Sequence, residues 1–516
     1  MKKSMLHAYM DQLPEKFNEE FIMSRDDHEI LEKIRDIFED LLVLPEIHIN
    51  REDITLETDE SAFGPIKQQG RYYKPVAASR LNRIHYKVTI DGLDHPIERD
   101  LYINKMLDKS FYINEGIRYF LVWQIVDSSS YGFGNGTSFK AMTMPVTMLV
   151  NNRFDIKSEL TDLSFLNLPI YEFATFNKLV APLIYIMSNY AISKLMDKYP
   201  KIDNVDEFTA FSDEGIIDYF NEYFGIETKF SDNMAELVED DRTIFAVKND
   251  KETGVYYSLP TDKLDTVEAK TIISCLSFCK SPKKKDKKKN IVFNYSQLTN
   301  MWFWIDQLAA AFSQTTDIFK KYEKAKGVFI SLSRLIDEPT RKIVRIPAKH
   351  KKDIFTVMRY IMHNFDEMAN ADGQDLTHKR IRLYEYLLFP LRSYFGNKIY
   401  TIFSSPNSTV QNLEKIFTGL TPMFLIKECI TSELLHYFNS TNEFNLYGSL
   451  LRYTFHGPQA YGSTVSIDQR SLHPSYTGRL SLISSNAGDP GTSGTLVPFV
   501  KVYEGGYFTP KSDEEE

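Results

Sequence analysis

The spacing of apolar residues changes several times along the chain, and each change marks an element. Up to Leu44 the period is helical: Ile30, Ile34, Ile37, Phe38 and Leu41 fall on one face, and Pro45 stops the pattern. From about Tyr72 the period shortens. In "RIHYKVTI" the residues Ile84, Tyr86, Val88 and Ile90 alternate with polar ones, which predicts a half-buried strand. "FYINEGIRYFLVWQIV" reads as strand, turn and strand. A helical block is predicted over Asn167–Pro200, including "FNKLVAPLIYIMSNYAISKLMDKY". "LTNMWFWIDQLAAAFSQTTDIFKKYEKA" reads as one long helix, "KKDIFTVMRYIMHNFDEM" as another, and "RIRLYEYLLFPLRSYF" as a third, interrupted at Pro390. Roughly the last eighty residues lose the helical period and gain Gly, Ser, Thr and Pro. The order is strands, helical insert, helices and irregular strands, so the first region is expected to resume after an inserted domain.

A length of 516 residues exceeds one ordinary core, and two to four domains are expected. Hydrophobic residues make up 43% and charged residues 25%, the balance of a folded chain. Only three cysteines argue for a reducing compartment. Cys275 and Cys279 lack a second pair of soft ligands, and read as small core residues one helical turn apart rather than a zinc site. The start "MKKSMLHAYMDQ" lacks an apolar core, and the apolar run "LVAPLIYIMSNYAI" is shorter than the roughly 20 residues a bilayer needs. Neither a signal peptide nor a membrane span is therefore expected, and the cytoplasm, of a bacterium or of an infected host, is the expected location. The net charge of −9 counts against a stand-alone nucleic-acid binder. It still allows basic residues to line one channel of an otherwise acidic chain.

No motif supports a self-contained active site. "SSSYGFGNGTS" holds G-x-G-x-G but leads into the strand-like "FKAMTMPVTMLV", whereas a phosphate cradle must open into a helix. The lysine run "SPKKKDKKKN" (Ser281–Asn290) reads as a solvated loop or as a flap over phosphates. There is no D-x-D-x-D set to hold two magnesium ions. If the protein takes part in catalysis, the metal and its acids sit on another chain.

Three segments, in order, resemble the N-terminal half of the β subunit of multisubunit DNA-directed RNA polymerases. The first is "FYINEGIRYFLVWQI", where Phe111, Ile113, Asn114, Arg118 and Gln124 match with a one-residue slip, and Ile117 stands where the family has Glu. The second is "DLTHKRIRLYEYLL", where Arg380, Ile381, Arg382 and Glu385 match and Tyr384 replaces a Gly. The third begins at "NEFNLYGSLLRYTFHGP" and runs through "RSLHPSYTGR" to Gly488. Asn442, Arg452, Gly457, Pro458, Arg470, His473, Pro474, Ser475, Gly478, Arg479 and Gly488 align there, and "LHPSYTGR" is the most specific match. The family's E-T-P-E-G has become Ser484–Gly488, and "QAYGSTVS" lacks the arginines of the family's fork loop. Such drift, and an end soon after this motif, resembles the split β subunits of giant-phage polymerases.

The resemblance implies an α+β multidomain fold: a protrusion-like domain over 1–135, a lobe-like insertion over 136–344, a return over 345–430, and a mostly β fork region over 431–516. It implies one subunit of a nucleotidyltransferase, inactive alone, with no catalytic residue of its own. Mg2+ would be held by a β′-like partner. Further partners would be the β C-terminal fragment, DNA template, RNA product and a phage promoter-specificity subunit. The apolar tail "TLVPFVKVYEGGYF" would pair with a partner's sheet. The third segment would line the main channel beside the RNA–DNA hybrid, which assigns nucleic-acid contacts to Arg452, Arg470, His473, Arg479, Asn486, Thr492 and Ser493, with Arg380 and Arg382. Pro474 and Gly478 would shape a rigid strand that presents Arg479 to a phosphate or to a loop carboxylate. Blander roles stand beside these. Arg452 could equally hold a loop together, and Arg380 and Arg382 could be structural, sharing a face only if extended. Asn114 and Arg118 read as structural, and His473 as a turn-stabilising hydrogen bonder. The rival from another class is a non-catalytic virion or nucleic-acid-binding protein that kept a polymerase-derived fold.

Overall fold

The computed structural model describes residues 27–510 apart from 60–65, 69–70, 74–79, 108–110, 115, 129, 134, 142–143, 157–167, 177, 233, 238, 246–253, 278, 281–289, 292–294, 314, 337–339, 342–343, 384–386, 405–408, 433, 439–447, 458–469, 485–491 and 499. The lysine run 281–289, Asn486 and the fork-loop stretch 459–466 lie outside the described residues.

The first helix, α1 (Asp27–Glu39), buries Ile30, Ile34, Ile37 and Phe38, the apolar face its spacing predicts. It packs on a sheet of β1 (Ile47–His48), β2 (Ile54–Glu57), β3 (Leu81–Ile90) and β4 (Ile97–Asn104), in which the long β3 pairs with the other three. Ile84, Tyr86, Val88 and Ile90 of β3 all point inward, as their alternation requires. The chain continues through β5 (Tyr112–Asn114), β6 (Ile117–Leu121) and β7 (Trp123–Asp127).

At Asp127 it leaves this region. A five-stranded antiparallel sheet follows in chain order: β8 (Ser130–Gly132), β9 (Gly136–Ala141), β10 (Met144–Ile156), β11 (Leu168–Thr175) and β12 (Lys178–Val180). The Gly/Ser stretch around Gly132 is thus the start of a hairpin, and the block predicted as helix from Asn167 begins as a strand. Helix α2 (Pro182–Lys198) starts only after it, with Pro182 in its first turn, where a missing N–H costs nothing. The first half of α2, Pro182–Ser188, is buried on all sides and largely apolar accordingly, whereas Ser193, Lys194, Asp197 and Lys198 in its second half are exposed. It packs near α3 (Val267–Ser277) and against α4 (Met301–Phe312), where the Ser188 hydroxyl donates to the Trp304 carbonyl at 3.0 Å.

The single long helix predicted from Leu298 is two. α4 ends at Phe312, and α5 (Ile318–Ser333) starts afresh because the Asp317 carboxylate accepts from the amides of Phe319 and Lys320. α6 (Ile354–His363) opens with a reciprocal cap between Asp353 and Thr356 and runs into α7 (Phe365–Ala369). The predicted third helix is also divided. "KRIR" is a strand, β13 (Lys379–Arg382), and Pro390 lies in the first turn of α8 (Phe389–Ser404) rather than inside a helix.

α8, α9 (Val410–Thr418) and α10 (Phe424–Ile430) return to the first region. Phe395 of α8 meets Phe38 edge-on at 5.2 Å, Phe417 lies 6.3 Å from Tyr86, and the Tyr102 amide donates to the Pro422 carbonyl at 2.9 Å. The fully buried Asp40 accepts from Arg392 at 3.0 Å, so a charge pair joins residues far apart in the chain. The last strands are β14 (Leu435–Tyr437), β15 (Arg452–Thr454) and β16 (Ser493–Thr495). The protein is a mixed α+β fold with several sheets. Among the described residues no helix is long and apolar enough to cross a membrane.

The tail does not wait for a partner's sheet. Leu496, Val500, Tyr507 and Phe508 are buried in this chain, and Tyr507 bridges to Arg380 at the edge of β13. Arg345 fixes it from outside, donating to the Thr509 hydroxyl at 2.9 Å and lying 3.8 Å from the Tyr507 ring centre. An apolar run needs a core, and this one finds it within its own chain.

Candidate nucleic-acid interface

The three polymerase-like segments, far apart in the chain, meet in one four-stranded sheet of order β13–β7–β15–β16. β13 runs antiparallel to β7, with Arg382 opposite Gln124 and Arg380 opposite Val126. β15 runs parallel to β7, with Thr454 opposite Gln124. β16 closes the far side, with Ser493 opposite Thr454 and Thr495 opposite Arg452. Arg380 and Arg382 do share a face, because the segment is extended.

Polar side chains, not apolar ones alone, set this register. Gln124 is fully buried, accepts from Arg382 Nε at 2.9 Å and donates from its Nε2 to the His456 carbonyl at 3.0 Å. One amide therefore touches all three segments. Gly457 makes room for it: its φ is +108°, and a Cβ there would stand 2.9 Å from Gln124 Nε2. Lys379, 1% exposed, donates to Asp127 at 2.8 Å and lies 5.5 Å from the Phe455 ring centre. Trp123 Nε1 donates to the Leu450 carbonyl at 2.8 Å. Arg380 and Arg382 are 8% and 6% exposed, so in this chain both sit inside the sheet junction rather than on a face open to phosphate.

"LHPSYTGR" does not form the expected strand. It is a capped turn, a single 3-10 turn over Pro474–Tyr476. Pro474 fixes its own φ and keeps His473 extended, and His473 Nδ1 then accepts from the Ser475 amide at 3.2 Å. His473 is the turn stabiliser that its place before Pro474 predicts. Gly478 has φ +75°, the left-handed conformation expected of it. Arg479 is half-buried and turns back to donate to the Ser475 carbonyl at 2.9 Å.

This turn clasps the second segment. The Ser475 hydroxyl accepts from the Leu376 amide at 3.0 Å, His473 Nε2 lies 3.4 Å from Asp372, and Ser471 lies 3.1 Å from the Gln374 side chain. Asp375 caps the 3-10 turn Leu376–His378. Burial works against its charge, but the Thr377 amide and hydroxyl, nearby His473 and the Ser475 hydroxyl together hold its carboxyl below the usual range.

The open charge lies elsewhere on the same structure. Strand alternation along β6 puts Arg118 and Phe120 on one side, and His436 pairs with Phe120 across β14. Arg452 lies in the junction sheet, two residues before Thr454, the partner of Gln124. Burial, against Phe120 at 5.8 Å, and the nearby Arg452 lower the pKa of His436. Arg118 and Arg452 are exposed, and no carboxylate among the described residues pairs with either. Arg118 rests 5.2 Å from the Phe111 ring centre. This exposed face carries His436 near Arg452, and Arg118 stands on β6, the strand that β14 pairs with, against the Phe111 ring.

Of the residues assigned from sequence, Arg452 is on this face and Arg470 is exposed at the start of the clasp. Thr492 is 1% exposed and spends its carbonyl on the Phe455 amide, and Ser493 is half-buried in β16. Asn486 is outside the described residues. Sequence reasoning missed Gln124 as the junction, Lys379 and Asp127 as a pair, and Arg118 as an exposed charge.

Two outcomes follow from this geometry. Gln124→Leu removes both bonds while keeping the volume, and should lower stability by about 2–4 kcal/mol in urea unfolding, because a buried guanidinium loses a partner; a loss within about 0.5 kcal/mol would contradict the junction. Asp375 has a depressed folded pKa, so its stabilisation is present above the ordinary aspartate value of about 3.9 and fades as pH falls through the lower folded value. The gap in melting temperature between wild type and Asp375→Asn should therefore shrink between about pH 5 and pH 2.5. A gap that grows on acidification would contradict it.

Comparison with known proteins adds the family. No curated protein matches the chain. A family model described as "Non-virion RNA polymerase subunit" matches residues 5–514, nearly the whole length, including every strand of the junction sheet. The chain belongs to the non-virion RNA polymerase subunit family.

Proposed function

We propose that this chain is the β-like N-terminal fragment of a split-β, multisubunit, DNA-directed RNA polymerase of a bacteriophage, working in the cytoplasm of the infected host. It shapes the main channel and contacts DNA and the RNA–DNA hybrid, and the chemistry is done by its partners. The carrying observation is the convergence of the three β-like segments on one sheet that presents Arg452, with Arg118 exposed on the sheet that precedes it along the chain. A β subunit's segments have reason to converge only if the fold they belong to is present. Exposed arginines with no carboxylate partner among the described residues are what a phosphate backbone recruits.

The family match supports assembly with other polymerase subunits. The partners proposed are the β C-terminal fragment, a β′-like subunit and a promoter-specificity subunit. Mg2+ belongs to the β′-like partner. The carboxylates gathered beside the junction do not suit that ion: Asp127 is paired with Lys379, Asp372 faces His473, and Asp375 is committed to turn amides. The chain alone is then inactive in nucleotidyl transfer. The protrusion-like reading of 1–135 and 345–430, with a lobe-like insertion between, is supported by the way α8–α10 close over the first sheet. The rival reading, a virion structural protein on a polymerase-derived fold, is disfavoured by the family's non-virion description.

The test is native purification of the tagged chain from infected cells, with mass spectrometry of what accompanies it and run-off transcription by the eluate. Subunits bearing D-x-D-x-D and the missing β half, together with RNA synthesis, are expected. Capsid proteins without RNA synthesis would sink the proposal.

A further inference from the structure

A cleft of about 750 Å3 opens where β8 meets α6, α7 and the residues leading to the clasp. Its walls carry the carboxylates of Asp127, Glu367 and Asp372 and the rings of Tyr131, Phe133 and Tyr360. No lysine or arginine is among the described residues that line it. This separates it from the arginine face described above.

The cleft is built into the fold. Gly132 lets β8 close directly onto α7, since a Cβ there would fall 1.6 Å from the Met368 carbonyl oxygen. Phe133, next along the chain, is left 43% exposed beside the opening. Tyr131 shows what these rings accept, because Lys140 Nζ already lies 5.0 Å from its ring centre. The acids are not equally available. Asp127 is held by Lys379, and Asp372 faces His473, but Glu367 is exposed on α7 beside the equally exposed Asp366. Of the lining carboxylates, that of Glu367 has no cation partner among the described residues, and a carboxylate left so repels a phosphate. The space suits one or two long side chains. A guanidinium or ammonium group satisfies both features, by stacking on a ring and pairing with a carboxylate.

A member of a polymerase-subunit family must bind other subunits. We infer that this cleft is the docking site for a lysine- or arginine-bearing segment of a partner polymerase subunit. It rests on the family and the cleft, not on the channel reading, so either can fail alone.

The full-length chain is titrated into fluorescein-labelled hexa-arginine at about 0.15 M salt and followed by anisotropy. The paired change Glu367→Lys with Phe133→Ala alters two exposed positions and leaves the core intact. It should weaken binding about tenfold. Glu98→Lys, at an exposed position of β4, changes net charge equally and should alter binding by less than about twofold. Equal weakening by both variants would reduce the effect to overall charge and overturn the inference, as would no weakening by either. Loss of binding to a single-stranded oligonucleotide in the paired variant would also overturn it, because the cleft would then be a nucleic-acid site.

Discussion

Gln124 is fully buried, and the two ends of its amide face in different directions, the oxygen to Arg382 and the nitrogen to the carbonyl of His456. A buried amide is tolerated only when its bonds are made. That requirement couples all three stretches of chain through one side chain. Apolar packing would let β13 or β15 slip; an unpaired guanidinium inside the sheet would not. Lys379 with Asp127, and the His473–Ser475 clasp on Leu376, repeat the same device on either side.

A division of labour among the basic residues follows. Arg380, Arg382 and Lys379 are spent inside, holding segments together, and Arg479 steadies its own turn. Arg118 and Arg452 are left outside, on strands of the first and third segments. An acidic chain, with net charge −9, can then carry a local basic face, and the rest of its surface remains available to other subunits. The acidic cleft by α7 has the opposite character and would meet a different kind of partner.

Much of this was legible in the residues. Alternation placed β3 and the β5–β7 ribbon correctly, and the order of the three segments pointed to a polymerase subunit, the family that matches. The failures have physical causes. "KRIR" has no strand period of its own, and tertiary pairing with β7 overrides its helical neighbours. The helix expected to run through Asp317 breaks because a capping carboxylate competes with the helical bond pattern. "LHPSYTGR" looked like a strand because proline excludes the α region before it, but proline also opens a 3-10 turn, and the histidine ring caps it. The tail seemed bound for a partner because apolar sequence alone does not say which chain provides the core. Burial divided the candidate site, since an arginine's composition is the same inside a sheet and upon it.

The most direct measurement is the salt dependence with which the assembled polymerase binds a template–RNA scaffold, comparing wild type with the Arg118→Ala, Arg452→Ala double variant. The account predicts unchanged subunit composition, weaker binding, and a plot of log affinity against log salt that is shallower by about 0.7–0.9 for each lost phosphate contact. The same affinity and the same slope in both enzymes would contradict it, and the arginine face would then have no part in holding nucleic acid.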